Sequence, residues 1–204
     1  MRITEAKQTQ PLVAKVEAQL TNVNLPNLLT LARILLIPVF MLLFSNPTPD
    51  RSLAAACVFT IAAVTDLLDG YLARRRSQVT RVGRLMDPIA DKLLVISGLV
   101  LLVQFQRVAA IVAILIIARE IAVTGVRAIA AAEGIAIPVE TTGKYKMTAQ
   151  VVAIVLLIVE DAVMLPWDVH VLGTVSLYIA LILGLVSGGR YLIFFWRQVS
   201  INSL

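Results

Sequence analysis

Cysteine, histidine, aromatic residues and charge are all scarce in this chain of 204 residues. Cys57 is its only cysteine and His170 its only histidine, which excludes an internal disulfide and a zinc site built from Cys and His. Charged residues make up 15% of the chain and aromatic residues 6%, whereas soluble domains carry about a quarter charged residues. Disorder, a coiled coil and a disulfide-rich secreted scaffold are therefore excluded, and any chemistry falls to carboxylates, basic groups and hydroxyls.

Aliphatic residues dominate instead, with 59% hydrophobic residues and a mean hydropathy of +0.88. Six apolar segments are each close to the roughly 20 helical residues that a bilayer core requires. They cover residues 27–45, 53–75, 84–104, 108–132, 143–165 and 169–196. Residues 1–26 are polar, and Leu12, Val16 and Leu20 have the spacing of an amphipathic helix on a membrane surface, with a loosely ordered tail as the alternative. The sequence predicts an all-α, polytopic membrane protein, with an N-terminal interfacial segment (1–26) and a domain of six transmembrane helices (27–204).

Lys and Arg are distributed unevenly between the two ends of these segments. Arg51 and Arg107 fall on one side. Eleven fall on the other side, namely Arg2, Lys7, Lys15, Arg74, Arg75, Arg76, Arg81, Arg84, Lys144, Lys146 and Arg197. Because cytoplasmic loops of membrane proteins are enriched in Lys and Arg, this asymmetry predicts a multi-pass membrane protein with both termini in the cytoplasm.

Four aspartates lie inside apolar segments, where an ionised side chain is costly. Asp66 and Asp69 share one helix face near the end of the second segment, and Asp87 and Asp91 share one face near the start of the third. A short loop makes these segments antiparallel neighbours, so the two pairs reach the same depth. Converging carboxylates need a compensating cation, and oxygen ligands suit Mg²⁺ or Mn²⁺. We predict a metal site on the cytoplasmic side; a network of structural ion pairs and a path for cations or protons are the alternatives.

The spacing around these aspartates is specific. It reads Asp66-x2-Asp69-Gly70-x2-Ala73-Arg74-x8-Gly83-x3-Asp87-x3-Asp91. Every position matches the signature of the CDP-alcohol phosphatidyltransferase family, which the chain therefore resembles. The resemblance implies six transmembrane helices, a homodimer, a divalent-metal site at the cytoplasmic side, and transfer of a phosphatidyl group from CDP-diacylglycerol to an alcohol with release of CMP.

The aspartates of the signature receive distinct roles. Asp66, Asp69 and Asp87 are predicted to be the principal metal ligands, because metal ions must bridge the diphosphate oxygens of the donor. Asp91 is predicted to belong to the same metal site and to act as the general base that accepts the proton of the attacking hydroxyl. The resemblance assigns this second role to the last Asp of the motif.

The nucleotide and its diphosphate are expected to bind against the first three segments. The predicted contacts are Asn27, Thr30, Arg33, Gly70, Ala73, Arg74 and Gly83. The first three recur every three residues as a polar stripe, for which a helix cap and an arginine that reaches the membrane surface are the alternative. Gly70 and Ala73 leave room for the nucleotide at the helix surface, and Arg74 contacts phosphate. Gly83 is equally explained as a turn residue.

Basic residues of the second half are predicted to bind the acceptor alcohol. These are Arg119, Arg127, Lys144 and Lys146. A basic cluster beside a metal site suits a phosphate on the second substrate, and Glu120 neutralises only one of the two arginines. The alternatives are a structural pair between Glu120 and Arg127, and lipid headgroups as partners of the lysines.

Further runs resemble the subgroup of bacterial phosphatidylglycerophosphate synthases, at residues 27–34, 62–66, 86–92, 118–121 and 143–150. In this subgroup the acceptor is glycerol 3-phosphate, which suits the basic residues; inositol phosphate is the alternative acceptor, and a cation transporter is the alternative of another class. The net charge of +5 is then explained by membrane orientation and an anionic substrate, not by nucleic acid. Gly184, Ser187 and Gly188 predict close helix packing, with a dimer interface as one interpretation, and Cys57 is expected to be buried.

Overall fold

The six apolar segments form six α-helices. The computed structural model describes residues 25–76, 81–133, 142–163 and 167–202, with only the backbone for 25–27, 66–76, 81–88, 142–144 and 199–202. In chain order, the helices are α1 (Leu25–Phe44), α2 (Pro49–Arg76), α3 (Arg81–Gln104), α4 (Ala110–Ala132), α5 (Thr142–Val159) and α6 (Val169–Asn202). These ranges contain no strand, so the all-α prediction is confirmed. The predicted amphipathic helix around Leu12, Val16 and Leu20 lies outside the described residues.

The central helix of the bundle is α3, which contacts α1, α2, α4 and α5. Phe40 of α1 and Phe59 of α2 are fully buried, and their rings meet edge to face with centroids 5.3 Å apart. Gly98 lets α3 approach this cluster, because a Cβ there would lie 3.1 Å from both Phe59 and Ile154 of α5. The predicted contact between α2 and α3 is confirmed, and it places the two aspartate-bearing helices side by side.

Apolar side chains also cover the outside of the bundle. Every helix exposes large aliphatic residues, among them Leu42, Ile61, Val100, Ile111, Val152 and Ile182. Cys57, which was expected to be buried, is exposed as well, because its position on α2 faces outward with Ile61.

One helix within the described ranges, over Val169–Gln198, is long and apolar enough to cross a membrane. Leu28–Phe44 and Tyr145–Val159 are apolar helices that are shorter than this. The charged side chains of Arg119, Glu120 and Arg127 interrupt the apolar surface of α4. Six membrane crossings therefore stay a prediction.

The turn between α3 and α4 has a specific backbone geometry. Gln106 adopts a left-handed φ of 59°, and its N–H donates to the carbonyl of Val103 at 3.0 Å. The N–H of Arg107 donates to the carbonyl of Leu102 at 2.8 Å. This pair of bonds is the Schellman arrangement, which satisfies the last carbonyls of a helix and turns the chain.

This turn points the buried side chain of Arg107 at the end of α5. Its Nη1 donates to the carbonyls of residues 157 and 158 at 2.8 and 3.0 Å. Its Nε lies 3.1 Å from Glu160 Oε1, and its Nη2 contacts Asp161. His170 Nδ1 lies 2.7 Å from the other oxygen of Glu160. Because these acidic residues turn toward Arg107, α5 ends at Val159 and not at the predicted residue 165.

Candidate active site

A cavity of about 250 Å³ lies among α3, α4, α5 and α6, close to the end of the bundle at which α3 and α5 begin. Its charged lining consists of Asp91, Lys92, Arg119, Glu120, Arg127 and Lys146. The cavity thus brings the predicted base together with three of the four predicted acceptor contacts. Lys144, the fourth, belongs to α5 by its backbone, and its side chain lies outside the described part of the chain.

Glu120 lies at the centre of a charged network on one wall of this cavity. Its Oε1 accepts a hydrogen bond from Arg119 Nη1 at 3.1 Å and another from Lys146 Nζ. The partners of Glu120 are therefore Arg119 and Lys146, and the proposed structural pair with Arg127 is wrong. Lys146 is buried, so a lipid headgroup is also the wrong partner for it.

Arg119 is held in place by α6. Its Nε donates to the carbonyl of Gly184 at 2.8 Å, and its Nη2 donates to the Oγ of Ser187 at 2.7 Å. Ser187 is fully buried, and a Cβ at Gly188 would lie 3.3 Å from Arg119 Nε. The small residues of α6 therefore pack against α4 of the same chain, and the dimer-interface interpretation of this series is wrong.

Two further basic residues line the cavity, and they differ in their contacts. Lys92 Nζ lies 3.7 Å from Asp91 Oδ2, and both side chains are partly exposed. Arg127 is exposed and makes no hydrogen bond or ion pair with any side chain in the described ranges. Its guanidinium donors are therefore available to an anion in the cavity.

Two of the three residues of the predicted stripe on α1 are buried inside the bundle. Thr30 and Arg33 are both buried, and Arg33 Nε donates to the carbonyl of Ala62 on α2 at 3.3 Å. An arginine that reaches the membrane surface is therefore the wrong interpretation of Arg33. Ala62 lies one helical turn before Asp66, so Arg33 lies next to the first aspartate position. The side chain of Asn27 is outside the described part.

Most signature positions are described by their backbone alone. Asp66, Asp69, Gly70, Ala73 and Arg74 belong to α2, whereas Gly83 and Asp87 belong to α3. Their side chains lie outside the described residues, so the predicted metal and nucleotide contacts at these positions stay predictions. Asp91 is the one aspartate of the motif whose side chain is described, and it lines the cavity.

The model of the CDP-alcohol phosphatidyltransferase family matches residues 23–186. The match spans α1 to α5 and the first half of α6, and it includes every charged residue that lines the cavity. The chain belongs to the CDP-alcohol phosphatidyltransferase family.

Relatives within the CDP-alcohol phosphatidyltransferases carry the name CDP-diacylglycerol–glycerol-3-phosphate 3-phosphatidyltransferase. The relative from Bacillus subtilis (strain 168) is 38% identical over 194 residues, which cover 88% of this chain and 99% of the relative. The relative from Shigella flexneri serotype 5b (strain 8401) is 40% identical over 173 residues, with coverages of 83% and 93%. The relative from Rickettsia bellii (strain RML369-C) is 38% identical over 168 residues, with coverages of 82% and 93%.

Several polar residues of this CDP-alcohol phosphatidyltransferase line the cavity without having been predicted as site residues, and three of them show what the sequence could reveal. They are Lys92, Gln150 and Ser187. Gln150 lies four residues after Lys146 and hence on the same face of α5, a spacing that was available in the sequence. Lys92 directly follows the predicted base. Ser187 carried no such signal, because its role depends on which helix packs against α6.

Proposed function

We propose that the protein transfers the phosphatidyl group of CDP-diacylglycerol to glycerol 3-phosphate, giving phosphatidylglycerophosphate and CMP. One observation carries this proposal: a single cavity holds Asp91 beside Arg119, Arg127 and Lys146. The three relatives described above, which are named for this reaction, each cover at least 82% of the chain.

The charge of the cavity suits a phosphorylated acceptor. Four basic side chains and two carboxylates line it, so two positive charges are left over. A phosphate monoester carries about −1.5 to −2 charges at neutral pH. Arg119 and Lys146 are already oriented by α6 and Glu120, so their donors need little reorganisation when the phosphate binds. Serine, a zwitterion with no net charge, and free inositol, which is uncharged, have no net negative charge to balance this excess.

Asp91 accepts the proton of the attacking hydroxyl in this proposal. The hydroxyl oxygen forms a bond to the phosphorus that bears the diacylglycerol. The bond from that phosphorus to the bridging oxygen of CMP breaks, and CMP leaves with the electron pair. General-base assistance of this kind contributes about 10²- to 10⁴-fold to a rate.

The four aspartates fit a hard divalent cation. Their side chains offer oxygen donors only, the ligand type that Mg²⁺ and Mn²⁺ prefer, and the described carboxylate of Asp91 faces the cavity. We propose that Asp66, Asp69, Asp87 and Asp91 hold such ions. When bound, a divalent cation neutralises charge on the diphosphate and on the departing CMP.

We also propose that all six helices cross the inner membrane, with both termini and the cavity on the cytoplasmic side, and that the protein is a homodimer. The helices contain 18 to 34 residues, and each carries exposed aliphatic side chains that only lipid or another apolar surface would cover. Trp167 and Trp196 are exposed near the two ends of α6, roughly 40 Å apart at 1.5 Å per residue, as expected of residues at two membrane interfaces.

The reaction is tested by measuring CMP release from CDP-diacylglycerol with the purified protein. We expect release only when glycerol 3-phosphate and Mg²⁺ or Mn²⁺ are both present. Inositol phosphate, serine and phosphatidylglycerol serve as parallel acceptors. Release that persists after chelation contradicts the metal proposal, and release with inositol phosphate alone reassigns the acceptor. Metal flux into vesicles without CMP release supports a cation transporter instead.

The role of Asp91 is tested by Asp91→Asn, which keeps the shape of the side chain and removes its basicity. We expect CMP release to fall by about 10²- to 10⁴-fold while binding of CDP-diacylglycerol persists. Asp168→Asn is the matched control, because Asp168 Oδ1 accepts from the N–H of Val171 at the start of α6 and Asn caps helices equally well. Normal turnover in Asp91→Asn would remove the base assignment.

A further inference from the structure

Gln150 is buried at the wall of the cavity without a hydrogen-bond partner for its amide nitrogen. The residue is 3% exposed, and its Nε2 finds no acceptor among the described residues. It lines the large cavity, and it also lines a small adjoining pocket together with Arg119, Glu120 and Lys146. The amide therefore lies next to the groups assigned to the acceptor phosphate.

An unpaired amide at this position is costly for the empty protein. Burial removes water from the N–H donors, and a buried donor without an acceptor loses stability that an apolar residue of the same size would keep. Beyond Gln150 this face of α5 is apolar, since Ala153, Ile154 and Leu157 are all buried. A leucine at position 150 would continue that face, so the amide is explained best by a partner that arrives with the substrate.

We infer that Gln150 donates a hydrogen bond from Nε2 to the non-reacting hydroxyl of the acceptor and thereby determines specificity for it. The inference rests on the proposed function. Glycerol 3-phosphate has one hydroxyl that attacks, one hydroxyl that stays unchanged, and a phosphate. Gln150 serves the second of these groups.

The neighbouring charges decide which group of the acceptor the amide binds. Arg119, Arg127 and Lys146 are charged donors, and these bind phosphate oxygens more strongly than a neutral amide does. Asp91 is already assigned to the attacking hydroxyl, whose proton it accepts. The uncharged hydroxyl that remains matches a neutral donor, and a site built around such a bond strongly rejects an analogue without the hydroxyl.

The test compares glycerol 3-phosphate with 3-hydroxypropyl phosphate, which keeps the attacking hydroxyl and the phosphate and lacks the other hydroxyl. We expect the wild-type protein to favour glycerol 3-phosphate in kcat/KM by roughly ten- to a hundredfold. In Gln150→Leu this ratio falls toward one, because turnover of glycerol 3-phosphate drops and turnover of the analogue hardly changes. The KM for CDP-diacylglycerol stays the same in both proteins.

Two controls separate specificity from folding. Ile158→Val removes one methylene from the same buried helix, away from the cavity, and should leave the ratio unchanged. Gln150→Leu should have a thermal midpoint equal to or above that of the wild type, because it replaces an unpaired amide. A wild-type ratio near one, or a ratio unaltered in Gln150→Leu, overturns the inference while the proposed function stands. No CMP release by the wild type with glycerol 3-phosphate defeats the proposed function itself.

Discussion

The side chain of Arg119 is held in one position by contacts on several sides. Its guanidinium contacts a backbone carbonyl of α6, the Ser187 hydroxyl and Glu120, each at a distance between 2.7 and 3.1 Å. Lys146 reaches the same Glu120 oxygen from α5. Helices α4 and α5 thus meet at one carboxylate, and the position of the donors proposed to bind phosphate depends on the surface of α6 directly behind Arg119.

Two adjacent glycines of α6 offer a matched test of this dependence. A Cβ at Gly188 would lie 3.3 Å from both Arg119 Nε and Val123, whereas a Cβ at Gly189 would meet nothing within 4 Å. We expect Gly188→Ala to shift the guanidinium and to lower kcat/KM for glycerol 3-phosphate by roughly ten- to a hundredfold. Gly189→Ala should leave it unchanged. Steady-state kinetics of the two variants check this, and equal effects of both substitutions would contradict it.

The sequence predicts which kinds of residue form the site better than it predicts which of them contact one another. Periodicity places Arg127 and Glu120 on one face of α4, yet Glu120 contacts the adjacent residue Arg119 and a lysine from α5. The register between two helices depends on packing that no spacing within one helix encodes. Ser187 was missed for the same reason, because it owes its place in the site to a helix distant in sequence, whereas the spacing of Gln150 from Lys146 was available in the sequence.

At the scale of helices and turns, the buried side chain of Arg107 joins two turns. Arg107 belongs to the turn after α3, and its carboxylate partners belong to the turn after α5. Its two bonds to backbone carbonyls also satisfy acceptors in the last turn of α5 that no intrahelical donor reaches. The turn geometry at Gln106 is thereby linked to the length of α5.

We expect Arg107→Met to lower the free energy of unfolding by about 3–5 kcal/mol, because the mostly buried carboxylate of Glu160 loses its arginine partner. Arg51→Met is the control. Arg51 donates to the carbonyl of Leu42 at 3.0 Å on an exposed surface, so its loss should cost less than about 1 kcal/mol. Thermal unfolding in detergent compares the two. An unchanged midpoint in Arg107→Met would show that the cluster contributes nothing to stability.

Some helix ends are determined by local turn chemistry, and these could have been predicted from the sequence. The second helix was expected from residue 53, but α2 begins at Pro49 because Thr48 Oγ1 accepts from the N–H of Arg51 at 3.4 Å. Proline at the first helical position strengthens this start, since it lacks an N–H that needs a partner. By contrast, the end of α5 depends on Arg107, which is distant in the chain.

In the molecule as a whole, the charged residues form two clusters at opposite ends of the bundle. The cavity with its excess of basic groups lies near one end, and the Arg107 cluster lies at the other, roughly 20 Å away along α3 at 1.5 Å per residue. Aliphatic side chains cover the outside between them. This arrangement suits the proposed orientation, in which the basic cavity faces the cytoplasm and the apolar belt lies within the membrane.

Single cysteines test this orientation, because Cys57 is the only native one and Cys57→Ala removes it. We expect Asn46→Cys, in the turn between α1 and α2, to react with a membrane-impermeant maleimide in spheroplasts. Glu133→Cys, after α4, should react only after lysis. Both positions are exposed, so the membrane is what separates them. The reverse pattern inverts the proposed topology, and labelling of both from outside contradicts the membrane crossings between them.

The Arg107 cluster also imposes an order on biogenesis. Arg107 is synthesised 54 residues before Asp161, so a nascent chain that has completed four helices carries a cation whose partners do not yet exist. When the last two helices are made, their acidic turn finds the positive charge of Arg107 already in place. A chain without its last two helices keeps this arginine without its carboxylate partners, which distinguishes it chemically from the complete protein.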